Sequence, residues 1–267
     1  MKKLECYMSS IHMNHKDDWL QCIRDAKTLG FAGVELFGGE GSVSFEDMSE
    51  ARCIEIARFA AETGMRISAH PWINWSALPE DDMVARFRAL TERCIRMGMK
   101  EINMHLHFLT DRTQGMGRVF AATDACLDLL KESGVTLFYE NVPEQGHREP
   151  GAEAADFAEL FAYYGPDTPV MLNIDSGHAH IMNQITALAG PFADRWRYTH
   201  INDNDSTGDQ HVAPGAGTLD FAAFARAAAQ AGYSGPLMME YAQSALQAGM
   251  PVLKAAYAQA GYELDWQ

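Results

Sequence analysis

Basic residues are scarce in this chain. Lys and Arg number 21 against 36 Asp and Glu, a formal charge of −15. Nucleic-acid binding leans on Lys and Arg that neutralise phosphates, so the balance argues against a polyanionic partner and leaves a small neutral ligand or a metal. Cysteine is also sparse. Cys6, Cys22, Cys53, Cys94 and Cys126 are odd in number, widely spread and without C-x-x-C spacing, a pattern of buried free thiols in a reducing compartment rather than a disulfide framework. Long apolar runs are missing. None approaches the roughly 18 residues of a membrane span, and the first ten residues carry two lysines but no apolar signal-peptide segment. The expectation is a soluble cytoplasmic protein with no membrane partner. There is no linker, no low-complexity tract, and no glycine-rich fingerprint after the first apolar run, so a single domain over residues 1–267 is expected.

What the sequence does contain is a rhythm of short apolar runs alternating with longer amphipathic ones. Strands are expected at 4–8, 33–37, 66–70 (stopped by Pro71), 101–105, 135–140, 170–174, 197–201 and 237–240. Helices are expected at 19–29, 45–63, 80–97, 117–133, 153–164, near 182–189, 221–231 and 252–259. Gly30, Gly64, Gly98, Gly134 and Gly232 follow helical runs, as helix-ending glycines do. The strands are apolar without clean alternation, which suits a parallel sheet buried on both faces. Eight β/α units imply an α/β fold of the (β/α)8 TIM-barrel type, for which about 250 residues is one domain. A doubly wound open sheet is the alternative.

Barrel active sites lie at the carboxyl ends of the strands, and the polar residues of this sequence gather there. All ten histidines fall at or just after expected strand ends and none in an expected helix body. They include His12 and His15, His70, His105 and His107, His147, His178 and His180, His200, and His211. Carboxylates join them: Glu35, Glu140, Asp175, Asp209 and Glu240. Glu140, Asp175, His200 and Glu240 form one set from strands five to eight, three carboxylates and an imidazole. Such donors suit Mn²⁺ first, with Mg²⁺, Co²⁺ or Zn²⁺ also compatible.

At these residues the sequence resembles the sugar isomerase/epimerase superfamily of xylose isomerase-like TIM barrels. That superfamily holds ketose 3-epimerases, inosose dehydratases and isomerases, and the endonuclease IV enzymes. The matching pieces are Gly33-Val34-Glu35-Leu36, Tyr139-Glu140-Asn141, Asp175-Ser176-Gly177-His178, His200-Ile201-Asn202-Asp203, the run from Asp209-Gln210-His211 through Pro214 to Gly217, and Met239-Glu240-Tyr241.

The resemblance implies an isomerase or epimerase of a small sugar, keto-sugar or cyclitol. Glu140, Asp175, His200 and Glu240 would bind one divalent metal. Glu140 and Glu240 would act as acid and base on opposite faces of a metal-stabilised enediolate. His178 would hold a substrate hydroxyl, with His70, His105, Asp209 and His211 as further substrate contacts. Glu35, Trp72 and Tyr7 are candidate wall residues. The same residues leave two alternatives open, a metal-dependent dehydratase and a multi-zinc phosphodiesterase with a second metal at Asp209 and His211. Acidity, and Gln210 where a basic residue is expected, argue against the phosphodiesterase. By analogy, a homodimer or homotetramer is expected.

Overall fold

The computed structural model describes residues 1–39, 42–106, 111–144 and 149–266. His107 and His147, singled out above, lie outside the described residues. Strands and helices alternate from end to end: β1 (Lys2–Ser9), α1 (Trp19–Thr28), β2 (Gly33–Gly39), α2 (Glu50–Thr63), β3 (Arg66–Trp72), α3 (Glu80–Arg96), β4 (Glu101–His105), α4 (Arg112–Asp124), α5 (Leu127–Ser133), β5 (Thr136–Glu140), α6 (Ala154–Tyr163), β6 (Val170–Asp175), α7 (Ser176–Ile181), α8 (Ile185–Ala189), β7 (Trp196–Ile201), α9 (Phe221–Gln230), β8 (Leu237–Met239), α10 (Leu246–Gln259) and β9 (Tyr262–Asp265). Among the described residues no helix is long and apolar enough to cross a membrane.

All eight expected strands are present, and several boundaries differ for local reasons. Helix α2 starts at Glu50 rather than 45 because the Ser49 side chain accepts the Arg52 N–H and fixes the helix start there. Strand β3 runs through Pro71 to Trp72; proline lacks only a donor, and its fixed φ is compatible with an extended backbone. The stretch 117–133 is two helices. Asp111 caps the first by accepting the Gln114 N–H, and the Cys126 N–H bonds Thr123 O in a tight turn before α5 begins.

The helix expected near 182–189 is preceded by α7, which starts directly after β6 because Asp175 accepts the His178 N–H at 2.6 Å. His178 and His180 therefore sit in a helix, contrary to the expectation that no histidine does. Helix α10 begins at Leu246 rather than 252, and β8 ends at Met239, leaving Glu240 one residue beyond it. The unanticipated β9 pairs in parallel with the start of β1, Lys2 opposite Tyr262 and Glu5 opposite Asp265. All five cysteines are free and buried. Burial pushes the Cys6 and Cys22 thiols up to about 12, so neither is poised as a nucleophile.

The chain forms two compact units, one of Met1–Glu35 with Leu172–Gln267 and one of Leu36–Met171. In the first, β7 lies between β6 and β8, β8 pairs with β1, and β1 pairs with the first residues of β2, all in parallel. Asp175 is opposite His200, Ile201 opposite Met239, and Ser9 opposite Glu35. This register brings the carboxyl ends of neighbouring strands to one level. Leu172, Ile174, Trp196, Tyr198, Leu237 and Met238 are all buried, as a parallel sheet covered on both faces requires.

In the second unit β4 is central. It pairs with β3 at Ala69–Ile102 and with β5 residue for residue, from Glu101–Thr136 to His105–Glu140. Helix α3 buries Met83, Phe87, Leu90 and Cys94, the three-and-four spacing of one apolar helical face.

Candidate active site

In the unit of Met1–Glu35 and Leu172–Gln267, strand register delivers the functional side chains and short polar contacts hold them. Asp175 ends β6. Its Oδ1 accepts the His178 N–H at 2.6 Å and its Oδ2 accepts Asn202 Nδ2 at 2.7 Å. Asn202 is in turn locked to Ser176, whose hydroxyl donates to Asn202 O at 2.8 Å and accepts the Asn202 N–H at 3.1 Å. Gly177 is required for this fit, because a Cβ there would come within 1.8 Å of Asn202 Oδ1.

His200, fully buried on β7, lies between two carboxylates. Its Nε2 is 3.0 Å from Glu35 Oε1 and its Nδ1 is 3.2 Å from Glu240 Oε2. The Glu240 N–H donates to Ile201 O at 2.9 Å, which carries the ladder one residue past β8.

A second group follows in the same unit. Asp209 Oδ2 lies 3.3 Å from His178 Nε2 and 3.1 Å from His211 Nε2. His211 Nδ1 is 2.8 Å from Glu240 O, so that nitrogen carries the proton and donates. With Asp209 accepting at Nε2 as well, the ring is held as an imidazolium. Burial disfavours that charge. The Asp209 hydrogen bond and the Glu240, Asp209 and Asp175 carboxylates outweigh it and lift His211 to about 9. Burial likewise works to raise the Asp209 pKa, but hydrogen bonds from His178 and His211 win and hold it well below the usual carboxylate range. His12 stacks on His211 with ring centroids 5.1 Å apart, and burial lowers it to about 4.

The backbone of His211 is in the left-handed region, φ 47°, a strained state for a residue with a Cβ and one that concentrates at functional sites. Asp203 holds the strain in place. Its backbone forms a two-hydrogen-bond bridge with Val212, and its carboxylate accepts the N–H groups of Asn204, Gly215, Gly217 and Leu219. Gly217 lies so near that a Cβ would meet Asn204 O at 2.3 Å.

The unit Leu36–Met171 carries its own cluster. Glu140 ends β5, fully buried, with its Oε1 3.6 Å from His105 Nε2. The His105 ring is edge-on to His70 at 5.0 Å, and Phe37 flanks His70 at 5.7 Å. His70 Nδ1 is 3.2 Å from Asn103 O, so Nδ1 donates.

Two triplets thus have one ligand atom from each member within 4.8 Å of the others: His178, Asp209 and His211 in one unit, His70, His105 and Glu140 in the other. Every site residue expected from the sequence falls in one of these groups or beside His200. Glu35 and Tyr7 are buried, while Trp72 is exposed. His15 pairs with Asp25 at 2.8 Å and His180 contacts Thr218 Oγ1 at 2.9 Å; both serve local structure. Sequence reasoning missed the supporting roles of Asn202 and Asp203. The usable signal was their position, directly after a strand ending in a histidine.

A family model described as xylose isomerase-like TIM barrel matches residues 23–260. Among solved structures, a D-tagatose 3-epimerase-like protein is similar over 98% of both chains, with TM-score 0.79 and 16% identity. A D-allulose 3-epimerase from Methylomonas sp. is similar over 98% of this chain and 96% of its own, with TM-score 0.72 and 18% identity. A 3-keto-D-glucoside 4-epimerase from E. coli is similar over 98% of this chain and 99% of its own, with TM-score 0.69 and 16% identity. No curated protein matches the chain by sequence. Likeness at these identities establishes the fold, a (β/α)8 barrel, and displaces the doubly wound sheet.

Proposed function

This chain belongs to the xylose isomerase-like TIM-barrel family, and from that premise we propose that residues 1–267 act as one domain, a divalent-metal-dependent epimerase or isomerase of a small keto-sugar or cyclitol. Glu140, Asp175, His200 and Glu240 would hold the metal. The observation that carries the reading is the donor chemistry at the strand ends. Asp175 and His200 are buried on neighbouring strands and Glu240 just beyond the next one, and Glu140 is buried at the end of β5. Buried carboxylates are costly unless they are paired or coordinate a cation. Three carboxylates with one imidazole fit an oxygen-preferring divalent ion, Mn²⁺ before Mg²⁺, Co²⁺ or Zn²⁺.

When bound, the ion would polarise the carbonyl and neighbouring hydroxyl oxygens of the substrate. The protein's own groups do the rest. Glu240 and Glu140 exchange the proton on the carbon next to the carbonyl, one removing it and the other returning it from the opposite face. His200 orients Glu240, and Asn202 orients Asp175. His178, held between Asp209 and Asp175, would position a substrate hydroxyl. The burial of these groups excludes water. Solved relatives named as 3- and 4-epimerases of sugars support the substrate class. If the same groups expel a β-hydroxyl after proton removal, the reaction is a dehydration.

A second reading, a multi-zinc phosphodiesterase, draws on the two triplets, His70–His105–Glu140 and His178–Asp209–His211. The net charge of −15 opposes it. The test is incubation of the metal-loaded protein with D-fructose, D-ribulose, methyl 3-keto-β-D-glucopyranoside and 2-keto-myo-inositol in deuterated water. Deuterium entering the carbon next to the carbonyl, and loss of that entry in Glu140→Gln and Glu240→Gln, are expected. Full exchange in both variants would sink the two-carboxylate mechanism.

A further inference from the structure

Trp72 is the largest side chain of the Leu36–Met171 unit left in solvent. It is 44% exposed, and among the described residues its indole makes no hydrogen bond or ring contact. Its neighbours are firmly anchored. Trp75 is buried and packs edge-on against Phe87 at 5.7 Å. Arg118 clamps the turn by donating to Trp75 O and Leu78 O at 2.8 and 2.7 Å. Behind the Trp72 backbone sits Gly39, where a Cβ would come within 1.8 Å of Trp72 O. A tryptophan that only filled space would be covered by this packing. Here the loop is fixed and the ring is left bare.

Its position gives the ring a use. Trp72 is two residues after His70 on β3, and side chains two apart on a strand share a face. His70 on that face meets His105, and His105 meets Glu140. Trp72 therefore stands one step beyond the cluster that ends on Glu140, towards the carboxyl end of the strand. We propose that Trp72 is a stacking platform for a six-membered polyhydroxylated ring, and so selects a pyranoside or cyclitol over an open-chain ketose. A cyclic sugar presents a flat face of C–H bonds to an indole. An extended polyol carries its hydroxyls all round and has no such face. The hydroxyls on the ring's edges stay available to His70 and His105. Trp72 is a specificity residue and takes no part in proton transfer. The inference rests on the proposed sugar site, and it deepens that reading by choosing the ring form.

The test is binding rather than turnover, which separates its failure from failure of the proposed reaction. Titration calorimetry of the metal-loaded protein would use methyl β-D-glucopyranoside and myo-inositol as ring probes and D-sorbitol as the open-chain probe. The first two tell a pyranoside from a cyclitol. Trp72→Ala is expected to weaken binding of at least one ring probe about tenfold, the equivalent of about 1.4 kcal/mol, and to leave D-sorbitol unchanged. Trp72→Phe should recover part of the loss. Saturation-transfer NMR should mark the ring C–H protons in the wild type only. Equal ring binding in wild type and Trp72→Ala, equal losses for ring and open-chain probes, or no ring binding by the wild type would each overturn the proposal. Deuterium exchange failing while the Trp72 effect persists would overturn the epimerase reading and leave the platform standing.

Discussion

The two polar clusters are built differently. Around His200 the contacts are short and closed. Glu35 and Glu240 flank the ring at 3.0 and 3.2 Å, Asp175 accepts at 2.6 and 2.7 Å, and His211 reaches Glu240 O at 2.8 Å. Around Glu140 they are looser. His105 is 3.6 Å from the carboxylate, and its side chain is part-exposed. A closed network holds its geometry before a ligand arrives. The shortest polar contacts are thus in the Asp175–His200–Glu240 network, and the longer, part-exposed one is at Glu140.

The largest effect that bears on this contrast is on proton exchange. Glu140→Gln and Glu240→Gln should each slow solvent exchange by about 10³-fold, within the usual range for loss of a general acid or base, with little change in thermal stability. A small effect from only one of them would show that one cluster works alone. Stability should divide the clusters next. His200→Ala removes the imidazole from between two buried carboxylates and should cost about 3–5 kcal/mol in the metal-free protein. His105→Ala, at a part-exposed and longer contact, should cost under about 1 kcal/mol. Equal costs in denaturant titrations would erase the distinction. Asp203→Ala removes the acceptor of four loop N–H groups and should cost about 3 kcal/mol, while Asp205→Ala, at an exposed position, should shift the denaturation midpoint far less.

A last contrast is in pH dependence, because the pKa values of two stacked rings are shifted in opposite senses. His211 binds its proton more tightly in the folded protein, at about 9 against a reference of 6.5. Its stabilisation is full below about pH 6.5 and is lost as pH rises towards 9. His12 is lowered to about 4, so the folded state resists protonation and stability falls as pH drops from about 6.5 towards 4. The metal-free protein should be most stable near pH 6.5. His211→Gln should flatten the alkaline limb of a melting-temperature profile, and His12→Gln the acid limb.

Much of this was legible in the sequence. The eight strands and the strand-end placement of Glu140, Asp175 and His200 followed from apolar periodicity and residue type. Side-chain caps moved the helix boundaries. Asp175 looked like a ligand alone, yet it also starts α7 and so carries His178 into a helix. Asp203 read as one more acid in a polar loop. Its role as acceptor for Asn204, Gly215, Gly217 and Leu219 depends on a turn that only the folded backbone makes. Strand β9 was hidden because Tyr262 to Asp265 is too short to be distinguished from a tail without its partner, β1.

In the proposed function Glu140 and the Asp175–His200–Glu240 network hold one metal. This is tested most directly by counting Mn²⁺ bound per chain, by calorimetry and elemental analysis, in the wild type, Asp175→Asn and Glu140→Gln. One ion in the wild type and a severe loss of binding in both variants are expected. Full-strength Mn²⁺ binding by Glu140→Gln, or three tightly held zinc ions in the wild type, would contradict it.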